Sequence, residues 1–99
     1  MTKDLQEQLK LKVQKYFFLT EKALKKIELA KNLNEKEKKT AADFISMAEN
    51  YFSDAKHFQE KNDLLNALAA LSYAHAWLDA GVRAGILDGK NDDVLFTLK

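Results

Sequence analysis

The segment from Leu64 to Leu78 carries no Asp, Glu, Lys or Arg, although 31% of the chain is charged. A helix without charge on any face is poorly suited to full solvation, so we expect other elements to cover more than one of its sides. The same region holds the only Trp and, shortly after Leu78, the only Arg. It therefore predicts the central helix of a small fold.

Length and composition narrow the fold class to a single helical domain over residues 1–99. The chain has no Cys, which excludes disulfides and thiolate metal sites, and no Pro to interrupt a helix. Leu, Ala, Lys and Glu dominate, and all four favour helix. The sequence thus predicts an all-α protein.

Spacing of the apolar residues predicts three helices and a tail. In the first helix these residues recur at three- and four-residue steps, as on one face of a helix. The predicted bounds are about residues 2–32, 40–61 and 63–85, with a tail over 86–99. The charge-free third helix has two apolar sides, one around Leu71 and one around Tyr73 and Trp77. Helices one and two could use both, or a second chain could use part of the latter.

Residue types at the connections predict how the helices join. Two capping boxes compete to start helix two, Asn34 with Glu37 and Thr40 with Asp43, and Thr40 is favoured. Asn62 tolerates the left-handed conformation that ends a helix, and Asp63 can cap the next one. Helices two and three should therefore be antiparallel neighbours in an up-and-down bundle. The apolar run 94–98 could be a strand, a docked extended segment or a frayed end.

Charge is distributed unevenly along the chain. Residues 1–40 carry eleven Lys against six acids, whereas residues 41–99 carry five basic residues against nine acids. A solvated lysine face is the simplest explanation, and weak nucleic-acid binding through helix one is the alternative. The N-terminus lacks a signal-peptide pattern and the charge-free run is too short to span a bilayer. We expect a cytoplasmic protein with no membrane partner.

Two histidines invite a metal-site hypothesis that the helix geometry disfavours. His57, near Asp54, lies about five residues from the turn at Asn62, whereas His75 lies about thirteen residues from it. That difference separates the histidines by about 12 Å along the bundle. We therefore expect no metal and no cofactor. His75 is predicted to be a core histidine bonded to a backbone carbonyl or to a tyrosine hydroxyl, with lining of a ligand cleft as the alternative.

A sequence pattern across helices two and three resembles an archaeal family, domain of unknown function 357. It runs Tyr51-Phe52-x-Asp54-Ala55-x-x-Phe58, then Asn66-Ala67, Tyr73-Ala74-His75 and Trp77-Leu78-Asp79-Ala80-Gly81-Val82-Arg83-x-Gly85. Helix one matches only in kind. The resemblance implies a closed, left-handed three-helix bundle and no established activity. Related domains resemble companions of nucleotidyltransferase-like domains.

These observations lead to a non-enzymatic helical interaction module, with self-association as one form of it. No catalytic or metal residue is assigned. The candidate partner contacts are Leu11, Phe18, Leu29, Tyr73 and Trp77. The alternative is a ligand- or nucleotide-related accessory domain, whose candidate family patch is Asp54, His75, Trp77, Asp79 and Arg83. Asp79 and Arg83, four residues apart, would pair by default.

Overall fold

The computed structural model describes residues 2–96 and, for residues 2 and 3, the backbone alone. Three helices, α1 (Thr2–Lys26), α2 (Glu35–Glu60) and α3 (Leu64–Arg83), form an antiparallel bundle. Two short strands, β1 (Glu28–Leu29) and β2 (Leu87–Asp88), pair with each other. Helix α3 contacts both other helices, whereas α1 and α2 touch each other far less. The predicted all-α three-helix bundle is confirmed.

The link between α2 and α3 follows the prediction from its residue types. Asn62 has a φ of 59°, and the Asp63 side chain accepts a hydrogen bond from the Asn66 backbone N–H. These local preferences close α2 and start α3 within three residues. Tyr51 and Tyr73 then lie 5.3 Å apart, and Phe44 lies 4.9 Å from Trp77, between ring centroids.

Helix one is shorter than predicted. It ends at Lys26 rather than at residue 32, because Glu28 and Leu29 pair with Asp88 and Leu87. The Ala30 N–H extends this pairing by donating to the Ile86 carbonyl at 3.0 Å. A partner almost sixty residues away thus overrides the local helical pattern.

Helix two starts earlier than predicted. The Asn34 side chain accepts from the Glu37 N–H at 2.8 Å, and the Glu37 carboxylate accepts from the Asn34 N–H at 2.9 Å. This is the capping box that was ranked second. Thr40 lies inside α2, where its hydroxyl donates to the Lys36 carbonyl at 3.1 Å. The prediction that Thr40 starts the helix is therefore wrong.

The C-terminal segment, residues 84–96, packs across the end of the bundle where α1 ends. Its four large apolar side chains are buried together with Ala23, Ile27 and Leu78. They are Ile86, Leu87, Leu95 and Phe96. Of the three conformations considered for the run 94–98, the part up to Phe96 is docked, and Thr97 and Leu98 lie outside the described residues. Within residues 2–96, no helix is both long and apolar enough to cross a lipid bilayer.

Ion pairs add to the attachment of the C-terminal segment. Lys26 contacts Asp92 at 2.9 Å, and Lys90 contacts Glu28 at 2.7 Å. The hydrogen bond from Lys26 lowers the pKa of the Asp92 carboxyl, and the bond to Glu28 raises the pKa of Lys90. The segment is thereby tied to both the end of α1 and the first connection.

Candidate functional site

His75 is occupied by structural hydrogen bonds. Its Nε2 contacts the Leu95 carbonyl, and its Nδ1 lies 3.2 Å from the Thr20 hydroxyl. A carbonyl only accepts, so Nε2 carries the proton, and in the neutral ring Thr20 donates to Nδ1. The prediction of a backbone carbonyl as the partner of His75 agrees with this arrangement. The hydroxyl comes from Thr20 rather than from Tyr51 or Tyr16.

The candidate family patch is not assembled into one site. Trp77 is half-buried against Phe44 of α2, on the side of α3 away from His75. Asp54 is exposed on α2. Because Tyr51 lies beside Tyr73, Asp54 lies near the level of residue 70, about 20 Å along the bundle from Arg83. Asp79 is half-buried and Arg83 is exposed, one turn apart near the end of α3.

The candidate partner contacts fall into two groups. Leu11 and Phe18 are 63% and 60% exposed on the outer side of α1, about 10 Å apart along its axis. The Lys22 ammonium lies over the Phe18 ring at 4.9 Å. Tyr73 is also exposed, on α3. Leu29, by contrast, belongs to β1 at the opposite end of the bundle, because α1 ends before it.

Two leucines that the sequence analysis did not single out as contacts are as exposed as these. Leu5 is 68% exposed and Leu65 is 71% exposed. With Leu9, Leu11 and four polar neighbours they line an open groove of about 700 Å³. We call it the leucine groove; its lining residues are Leu5, Gln6, Gln8, Leu9, Leu11, Lys12, Lys15 and Leu65.

The groove arises from the register of α1 against α3. These helices run in the same direction, and the bond between Thr20 and His75 sets them level at that point. Counting back equally along both helices places Leu9 beside Leu64, the first residue of α3. The residues of α1 before Leu9 therefore extend past the start of α3, by about 1.5 Å per residue. Leu5 consequently lacks the neighbour that its place on the apolar face predicts.

The groove leads onto an uncovered side of α3. One side of this helix is buried, through Ala67, Ala70, Leu71, Ala74, Leu78 and Gly81. The other side, which we call the outer face of α3, is exposed and consists of Leu65, Ala69, Ser72, Tyr73, Ala76 and Ala80. Of the two outcomes left open by the sequence, the structure leaves this side free of α1 and α2, except where Tyr73 touches Tyr51.

The groove has one sign of charge. Lys12 and Lys15 line it and no acidic residue does. In the described structure neither lysine forms an ion pair. Nor do residues 4–96 contain a group of three or more His, Cys, Asp or Glu side chains placed to hold a metal ion.

Comparisons with known proteins agree with the fold. A family model described as "Protein of unknown function (DUF357)" matches residues 15–87. A crystal structure of a protein from Archaeoglobus fulgidus that carries the same family model superposes with a TM-score of 0.70. It is 31% identical, and the match covers 85% of this chain and 96% of that one. No curated protein matches the chain.

Proposed function

The chain belongs to the DUF357 family, and from the surface that it exposes we propose that it is a non-enzymatic protein-interaction module. Its contact surface is the leucine groove together with the outer face of α3. The observation that carries the proposal is the exposure of Leu5, Leu11 and Leu65 around one groove.

Burial of these side chains supplies the driving force for binding. Moving one exposed leucine out of water is worth about 1.5–3 kcal/mol. A groove lined by four leucines therefore offers several anchor contacts to one partner, although the cost of association offsets part of that gain. Exposed leucines scattered singly need no such explanation, whereas leucines gathered around one groove do.

A different protein fits this surface better than a second copy through α1. Self-association that placed the α1 grooves together would bring Lys12 and Lys15 of both copies close, and like charges repel. A second copy bound through the outer face of α3 would avoid that repulsion. Light scattering after gel filtration separates these forms of the proposal, because only self-association raises the mass of the purified protein.

Peptide display tests the proposal without assuming a partner. Random peptides are selected on the wild-type protein and then counter-selected on the double variant Leu11→Glu, Leu65→Glu. We expect enriched peptides whose binding is lost in the double variant. The matched control is Val94→Glu, since Val94 is 79% exposed and lies in the C-terminal segment.

The controls make the outcome decisive. All three positions are exposed, so the glutamate variants should unfold within about 0.5 kcal/mol of wild type per substitution. Peptides that bind the double variant and the wild type equally, or an absence of any enriched peptide together with a monomeric mass, would reject the interaction surface.

A further inference from the structure

We propose that the occupant of the leucine groove is an acidic amphipathic helix, an inference that rests on the proposed function and names its partner class. The groove has two properties that a partner must match. Its base is apolar, through Leu5, Leu9 and Leu65, and its α1 flank is basic, through Lys12 and Lys15.

The dimensions of the groove fit a helix. The lining residues of α1 run from Leu5 to Lys15, about 15 Å of helix axis, or nearly three turns. An amphipathic helix of that length places apolar side chains at spacings of three, four and seven residues along one face. Leu11 and Phe18 on α1 have the same seven-residue spacing, so a longer partner helix can continue along the outer side of α1.

The alanines of the outer face allow close approach. Ala69, Ala76 and Ala80 follow Leu65 along the exposed side of α3. Small side chains let a second helix pack near the backbone, and Tyr73 adds a large apolar surface with a hydroxyl. This face is uncharged, so it places no restriction on the charge of the occupant.

The lysines of α1 determine the sign of the partner's charge. Lys10, Lys12, Lys15 and Lys22 are exposed between residues 8 and 22, where Glu21 is the only acid. In the described structure Lys12 and Lys15 have no carboxylate partner. Acidic side chains on the flank of a docked helix would supply these partners, whereas basic side chains would be repelled. A nucleic acid would satisfy the lysines but not the four leucines.

Two synthetic peptides test this proposal directly. Both are about four helical turns long and carry leucine at positions spaced three, four and seven apart. One has glutamate at the flanking positions and the other has lysine, and a scrambled glutamate peptide serves as the sequence control. Fluorescence anisotropy measures the dissociation constant of each peptide for the wild-type protein.

We expect the glutamate peptide to bind about fivefold or more tightly than the lysine peptide, since two exposed ion pairs form. The preference should shrink near 1 M salt, where charges are screened beyond about 3 Å. The variant Lys12→Glu, Lys15→Glu should reverse it. The matched control Lys36→Glu, Lys39→Glu has the same net charge but changes exposed residues at the start of α2, so its preference should match wild type.

The outcomes separate this inference from the proposed function. Equal binding of the glutamate and lysine peptides, lost in Leu11→Glu, Leu65→Glu, would overturn the acidic partner and leave the interaction surface intact. Loss of all groove-dependent binding, including that of displayed peptides, would overturn both. Salt-sensitive binding of single-stranded RNA that needs Lys12 and Lys15 but not Leu65, with no peptide binding, would also overturn both.

Discussion

Replacing His75 with alanine tests whether this residue holds the C-terminal segment in place. The imidazole joins three parts of the chain: Thr20 of α1, its own helix α3 and the Leu95 carbonyl. The Phe96 ring lies 6.3 Å away, centroid to centroid. The variant His75→Ala removes both hydrogen bonds and the ring, and leaves the rest of α3 unchanged.

The expected cost can be worked from these contacts. Two hydrogen bonds contribute about 0.5–1.5 kcal/mol each, so their loss costs about 1–3 kcal/mol. The Thr20 hydroxyl can turn back to a carbonyl one turn earlier in α1, whereas the Leu95 carbonyl has no such substitute. We therefore expect about 2 kcal/mol, which for a domain of this length lowers the melting temperature by about 8–16 °C.

Urea unfolding and amide hydrogen exchange measure the two parts of this effect. Unfolding gives the global loss. Exchange at Phe96, whose N–H donates to the Asp92 carbonyl at 3.0 Å, reports whether the segment opens locally. We expect the protection of Phe96 to fall by more than the protection of amides in the middle of α3.

The variant Thr20→Val is the matched control. It removes the hydroxyl but keeps the shape of the side chain and the contact between His75 and Leu95. It should destabilise the protein while leaving the protection of Phe96 close to that of wild type. A loss below about 0.5 kcal/mol in His75→Ala, with unchanged exchange at Phe96, would refute the structural role of the imidazole.

Three further predictions address the ends of the helices and the C-terminal segment. Asn34→Ala should cost about 0.5–2 kcal/mol in urea unfolding, because the capping box is lost, and Thr40→Ala should cost less. Gly81→Ala should destabilise despite the better helix propensity of alanine, since the added methyl would lie 2.6 Å from Cγ of buried Leu87; a rise in the urea midpoint would contradict this. Asp92→Asn should reduce the loss of stability on acidification: the lowered pKa means that the pairing with Lys26 stabilises the fold above about pH 4 and is lost as the pH falls further. Urea midpoints measured against pH should thus converge for Asp92→Asn and wild type at low pH.

Much of the fold was predictable because its determinants are local. The turn at Asn62 and Asp63 depends on residue preferences within a few positions, and the buried side of α3 follows from helical spacing. The end of α1 was not predictable in this way. It depends on the pairing of Leu29 with Leu87, which no window along the sequence contains.

The candidate site was only half visible in the sequence for a related reason. Leu11 and Phe18 lie off the apolar face of α1, so their exposure could be predicted from spacing alone. Leu5 lies on that face and was expected in the core. Its exposure depends on the offset between α1 and α3, which the contact of Thr20 with His75 sets. An estimate of that offset from the two helix starts would have identified the groove.

The attachments of the C-terminal segment all lie at one end of the bundle, and this makes the molecule unequal along its length. The strand pair, the Lys26–Asp92 contact and the Lys90–Glu28 contact lock the end where α1 stops. The opposite end, with the leucine groove, has no comparable cross-connection among the described residues. Local opening should therefore need the least free energy at the groove and the most at the strand pair. A partner would then bind the portion of α1 that opens most readily, and slower amide exchange over residues 5–12 would report its arrival.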